Sequence, residues 1–162
     1  MLETIRRKIA AWQALGSWEK QALVALSAHL HLIWVRLRVT KFDHLHHWHE
    51  RHLNGDAKPM PGGYSDLDFA RRSAELIEIC ARHGLYHANC LHQSLVLCAW
   101  LRRYGLAPEL RVGITPDAGP FQAHAWVELN QVLLNRNPDG YLPFDHRQWS
   151  AKWSESEKST IR

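Results

Sequence analysis

Apolar side chains follow two different periods along this chain, and the change from one to the other divides it. Leu23, Leu26, Leu30, Ile33 and Leu37 recur at helical spacing as far as about Arg38. Ser17 suits the cap of a helix starting at Trp18, and Glu19 carries its charge in the first turn, where the helix dipole favours it. A second helix opens at Asp66 or Asp68 and runs through Phe69, Ala70, Leu76, Ile77 and Cys80 to a stop near Gly84. A third begins near Asn89-Cys90 and ends at Gly105, with Arg102 and Arg103 in its last turns. On a helical wheel Leu91, Ser94, Leu95, Leu97, Cys98 and Leu101 cover nearly half the circumference. Val96, Ala99 and Trp100 make most of the rest apolar, so this helix belongs in the middle of the fold.

Past Gly105 the period falls to 2. Leu110, Val112 and Ile114 alternate with Glu109, Arg111 and Gly113, which predicts a strand. Phe121, Ala123, Ala125, Val127 and Leu129 alternate with Gln122, His124, Trp126 and Glu128 in a second. Asn130-Gln131 reads as a two-residue turn into a third strand, Val132 to Asn135. Helices first and a small antiparallel sheet afterwards make an α+β fold. The breaker-rich run from Asn54 to Gly63 is the plainest loop. It separates a basic, His-rich region (1–60) from a core (61–145), and a polar tail (146–162) follows.

Charge and cysteine usage narrow the partners and the compartment. The net charge of +4 sits wholly in residues 1–60, which hold 9 basic and 5 acidic residues. That excess is modest for a nucleic-acid binder. Three cysteines are too few for a disulfide framework and suit a reducing, cytoplasmic setting. No signal peptide is recognisable at the N-terminus. The apolar stretch from Leu23 to Val39 is broken by His29, His31, Arg36 and Arg38, which argues against a membrane span.

Three residue groups bear on chemistry. Cys90 stands at the start of the central helix, where the N-terminal dipole favours the thiolate that a nucleophilic cysteine needs. The plainer reading is a small buried hydrophobe, and that reading is the one for Cys80 and Cys98. His124 lies in mid-strand on the face opposite Ala123, Ala125 and Val127, placed to meet a helix-borne cysteine across a cleft or to be an ordinary half-exposed histidine. If Leu129 pairs with Val132, residues 135, 137 and 139 share the histidine's face. Asn135, Asn137 and Asp139 can all orient the imidazole; Asn135 is the first choice because it lies within the regular strand, and Asp139 is the only carboxylate of the three. The cluster His44, His46, His47, His49 and His52 reads as an amphipathic surface stretch; with no cysteine beside it, no metal site is expected. No cofactor is expected either.

Taken together, Asn89-Cys90-Leu91-His92-Gln93-Ser94-Leu95-Val96-Leu97, Leu101-Arg102-Arg103-Tyr104-Gly105, Val112-Gly113-Ile114 and Pro120-Phe121-Gln122-Ala123-His124-Ala125-Trp126-Val127-Glu128-Leu129 closely resemble the leader peptidases of lasso-peptide biosynthesis (the B2 proteins). These belong to the transglutaminase-like cysteine peptidases, and the resemblance spans about residues 66–145. It implies a cysteine peptidase with Cys90 as nucleophile and His124 as base, cutting the leader from a ribosomally made precursor peptide. The family's third member is an acid shortly after the histidine strand; Arg136 falls there, with Asn135 beside it and Asp139 a little further on. An Asn fills that role in papain-like enzymes. Gln93 or Trp126 is the expected partner of the Cys90 N–H in the oxyanion hole. The resemblance further implies a small leader-binding protein, expected to dock on the N-terminal third, and an asparagine-synthetase-like cyclase acting downstream. Amide exchange of the transglutaminase type is the enzymatic alternative. A non-catalytic binding module of a peptide-maturation complex is the other.

Overall fold

The structure is a computed structural model and describes Arg6, Ala10 and residues 12–39, 57–84, 88–115, 122–135 and 140–143. Among the described residues the helices α1 (Ser17–Val39), α2 (Asp66–His83) and α3 (Cys90–Arg102) precede four strands. The strands are β1 (Glu109–Ile114), β2 (Ala123–Leu129), β3 (Val132–Leu133) and β4 (Leu142–Pro143). They form one sheet in the order β3-β2-β1-β4, with antiparallel neighbours throughout.

Each helix starts where local chemistry satisfies its first N–H groups. Ser65 caps α2, its Oγ accepting from the Asp68 N–H at 3.2 Å, so the cap precedes both aspartates that the pattern nominated. Asn89 caps α3, accepting from the His92 N–H at 3.0 Å. At α1 the cap lies one residue earlier than expected. Lys20 donates to the Gly16 carbonyl, and the Glu19 carboxylate reaches back to the Gly16 N–H at 2.6 Å. The stop after α3 is a Schellman motif: Leu106 N–H reaches Leu101 O, Gly105 N–H reaches Arg102 O, and Gly105 takes a φ of +79°.

The core lies where the three helices meet each other and one face of the sheet. Leu26, Leu30 and Ile33 of α1, Phe69, Leu76 and Ile77 of α2, and Leu95, Leu97 and Leu101 of α3 pack together with Val127 and Leu129 of β2. Phe69, Tyr104 and Trp100 form an aromatic chain at one end, with centroids 4.7 and 5.3 Å apart. By length and composition α1 is long and apolar enough to cross a membrane. Here its inward stripe, Ala22, Leu23, Leu26, Leu30 and Ile33, is buried in the core.

Glu19 is the one acid buried in that core among the described residues. It is held by the Gly16 N–H and by Arg72 Nε of α2 at 2.6 Å. Burial pushes its pKa up, but the Gly16 hydrogen bond and Arg72 outweigh this, and the net pKa is lowered from 4.5.

The register at the β2–β3 turn is the one the pattern predicts, with Leu129 opposite Val132. Asn130 and Gln131 carry φ of 50° and 65°, the left-handed pair that a tight hairpin turn requires. Two features differ from the sequence reading. β3 stops at Leu133, and the sheet gains β4, which pairs Gly113 with Pro143 and Ile114 with Leu142. Two residues are too short to show a period, so β4 was not legible in advance.

Two outcomes follow. Because the Glu19 pKa falls on folding, its contribution is present above the unfolded value and is lost as pH drops through the folded value. Glu19→Gln should therefore flatten the acid limb of a stability-against-pH curve below about pH 4.5, measured by urea midpoints. Gln131→Gly relieves a left-handed side-chain residue and should raise stability by about 1 kcal/mol in the same assay.

Candidate active site

Cys90 is the first residue of α3 and is half-buried, while Cys80 and Cys98 are buried. Burial pushes the Cys80 thiol up and the Cys98 thiol up to about 12. Those two are packing residues, as their helical positions predicted. Burial also lowers the pKa of His92, whose ring nitrogen Nδ1 lies against Asn89 Oδ1.

His124 is the second residue of β2. It lies on the face with Trp126 and Glu128, opposite the core residues Val127 and Leu129. Its imidazole stacks beside Trp126 (centroids 6.1 Å, 21° between planes) and against Tyr141 at 5.1 Å. Nε2 is buried and has no hydrogen-bond partner among the described residues. The aromatic neighbours are themselves held: Trp126 Nε1 donates to Glu128 at 2.8 Å, and Tyr141 Oη donates to Gln122 at 3.3 Å. Gly113, opposite His124 in the sheet, leaves room for the Trp126 ring; a Cβ there would lie 2.9 Å from it and 2.8 Å from the Leu142 carbonyl oxygen.

Ser94 connects the two halves of the site. Its buried Oγ donates to the Ala125 carbonyl at 3.0 Å. Cys90 stands four residues, about one turn, before Ser94, and His124 is next to Ala125. The bond therefore holds α3, one turn after Cys90, against β2, one residue after His124. Cys90 and His124 make no hydrogen bond to each other among the described residues. Such pairs are often long or poorly aligned until substrate binds.

Asn135 makes no hydrogen bond to His124 among the described residues. The hairpin register holds, and Leu134 still donates to Val127. The backbone then leaves the sheet, and Asn135 Oδ1 accepts from the Val127 N–H at 2.8 Å, where a continued ladder would present the Leu134 carbonyl. Its Nδ2 donates to Ser94 at 3.0 Å, so the side chain lies on the α3 side of the sheet, opposite the histidine's face. Alternation ends where the strand ends, and that breaks the register argument beyond Leu133. Asn137, Asp139 and Arg136 lie outside the described residues, as do Phe121 and the histidines from His44 to His52. Among the described residues no three His, Cys, Asp or Glu side chains gather as a metal site would require.

The two suggested oxyanion donors fare differently. The indole N–H of Trp126 is committed to Glu128. The Gln93 amide gives one N–H to Ala88 at 2.7 Å and keeps a second. The sequence reading overlooked Ser94, Tyr141 and the bracing role of Asn135. A serine on an otherwise apolar helix, one turn after Cys90, was the signal available for the first; nothing in the local pattern pointed to Tyr141.

A family model for the transglutaminase-like superfamily matches residues 32–147, and the chain belongs to that superfamily. Its members are commonly cysteine-dependent enzymes, cysteine peptidases among them. Comparison with curated proteins and with solved structures gives no match. The superfamily assignment agrees with the α+β arrangement of helices and small antiparallel sheet.

Gly113→Ala should push the Trp126 ring and the Leu142 backbone aside, costing about 1–3 kcal/mol. The expected result is a lower urea midpoint together with a changed fluorescence of Trp126, resolved in a background where the other tryptophans are phenylalanine.

Proposed function

We propose that this chain is a cytoplasmic cysteine peptidase that removes the leader from a lasso-peptide precursor. The observation that supports the reading is the Ser94–Ala125 hydrogen bond, which ties α3, one turn after Cys90, to β2, one residue after His124. The Cys90 thiolate attacks the carbonyl carbon at the leader–core junction. His124 gives its proton to the departing amine of the core, and the C–N bond breaks to leave a thioester. Water, with His124 as base, then hydrolyses the thioester and frees the leader carboxylate and the thiol. The Cys90 N–H and the remaining Gln93 N–H support the oxyanion. Asp139 is the third member in this reading: it is the carboxylate shortly after the strand, while Asn135 is committed to Val127 and Ser94.

A small leader-binding protein presents the precursor, and an asparagine-synthetase-like cyclase takes the freed core. The docking face for the leader-binding protein is the outer side of α1. Val24, Leu32, Val35 and Val39 are exposed there, and Lys20, Arg36 and Arg38 lie on the same helix. Exposed apolar surface of this kind marks interaction sites.

With precursor and leader-binding protein supplied, Cys90→Ala and His124→Ala should abolish cleavage followed by mass spectrometry. Asp139→Ala should lower the rate strongly. An added primary amine should leave the cleaved leader as the free acid; an amide in its place would favour acyl transfer. Equal cleavage with and without the leader-binding protein would count against the docking face.

A further inference from the structure

We infer that Ser94 and Asn135 are positioning residues that set where Cys90 stands relative to His124; this rests on the Cys90–His124 reading above. Three segments converge on the Ser94 hydroxyl. Oγ donates to Ala125 O of β2 and accepts from Asn135 Nδ2 beyond β3, both at 3.0 Å, while Asn135 Oδ1 accepts from Val127 N–H at 2.8 Å. Ser94 is fully buried, so no water competes for these bonds.

The chemistry of the surroundings explains why such a brace is needed. Leu97 and Leu101 of α3 and Val127 and Leu129 of β2 meet in the apolar core. Apolar contacts are non-directional, and they permit α3 to slide along the sheet with little change in buried area. Hydrogen bonds require both a distance and an angle. The Ser94 bonds therefore fix the axial position of α3 one turn after Cys90 and one residue after His124. Asn135 fixes it from the other side, because it holds the end of the β2–β3 ladder and the helix with one amide.

A shift of about 1 Å in a nucleophile's position can lower a rate on the order of 100-fold. Ser94→Ala and Asn135→Ala should accordingly reduce kcat for precursor cleavage about 10–100-fold with KM little changed. The double variant should be no slower than the slower single variant, because each removes the same brace. A readout independent of the precursor is the pH profile of Cys90 alkylation by iodoacetamide. The wild type should show a His124-dependent step that His124→Ala removes, and the step should be displaced or flattened in Ser94→Ala and Asn135→Ala. A wild type without a His124-dependent step overturns the Cys90–His124 reading itself. A wild-type step kept unchanged in folded Ser94→Ala and Asn135→Ala overturns the brace. Asn135→Asp, which keeps an acceptor for Val127 and drops the donor to Ser94, serves if the alanine variants fail to fold, and an unchanged step there overturns the brace equally.

Discussion

A hydroxyl buried without water must find its hydrogen bonds within the protein, since leaving it unpaired would cost about 1–3 kcal/mol. Ser94 meets that requirement by reaching the Ala125 carbonyl and receiving the Asn135 amide. The demand is local, but its consequences are not. It joins a helix to a strand that follows it by about thirty positions, and it recruits the residue at which the third strand gives out. In this chain the Ser94 hydroxyl adds directional bonds to the apolar packing of α3 on the sheet.

The two faces of β2 divide the labour. Val127 and Leu129 look into the helical core and supply the apolar burial that holds the sheet on α3. His124, Trp126 and Glu128 look the other way, where the imidazole is held by aromatic neighbours while a carboxylate fixes the indole beside it. Gly113 serves this outer face by having no side chain. A histidine can thus be held in orientation by ring packing, leaving its Nε2 without a partner among the described residues.

The Glu19–Arg72 contact does for the helices what Ser94 does for the sheet. An acid in the first turn of α1 answers the helix dipole, answers the Gly16 N–H, and pairs with a guanidinium of α2. Apolar stripes bring the two helices together; the ion pair selects their relative placement.

Much of this was legible in the sequence because it is decided over short separations. The periods of 3.6 and 2 located α1, α2, α3, β1 and β2. Asn130-Gln131 declared the hairpin and its register, and Cys90 announced itself by standing at a helix start. Those features depend on residues within a turn or two of one another. Asn135 marks the limit. Alternation assigns a face only while the strand continues, and the backbone turns away after Leu133, so the partners of the Asn135 side chain could not be read from the pattern. Ser94's partners, the aromatic hold on His124 by Tyr141, and β4 at the sheet's edge are contacts between distant parts of the chain. Only the tertiary structure could decide them, since each depends on which buried polar groups and open ladder positions the completed packing leaves to be satisfied.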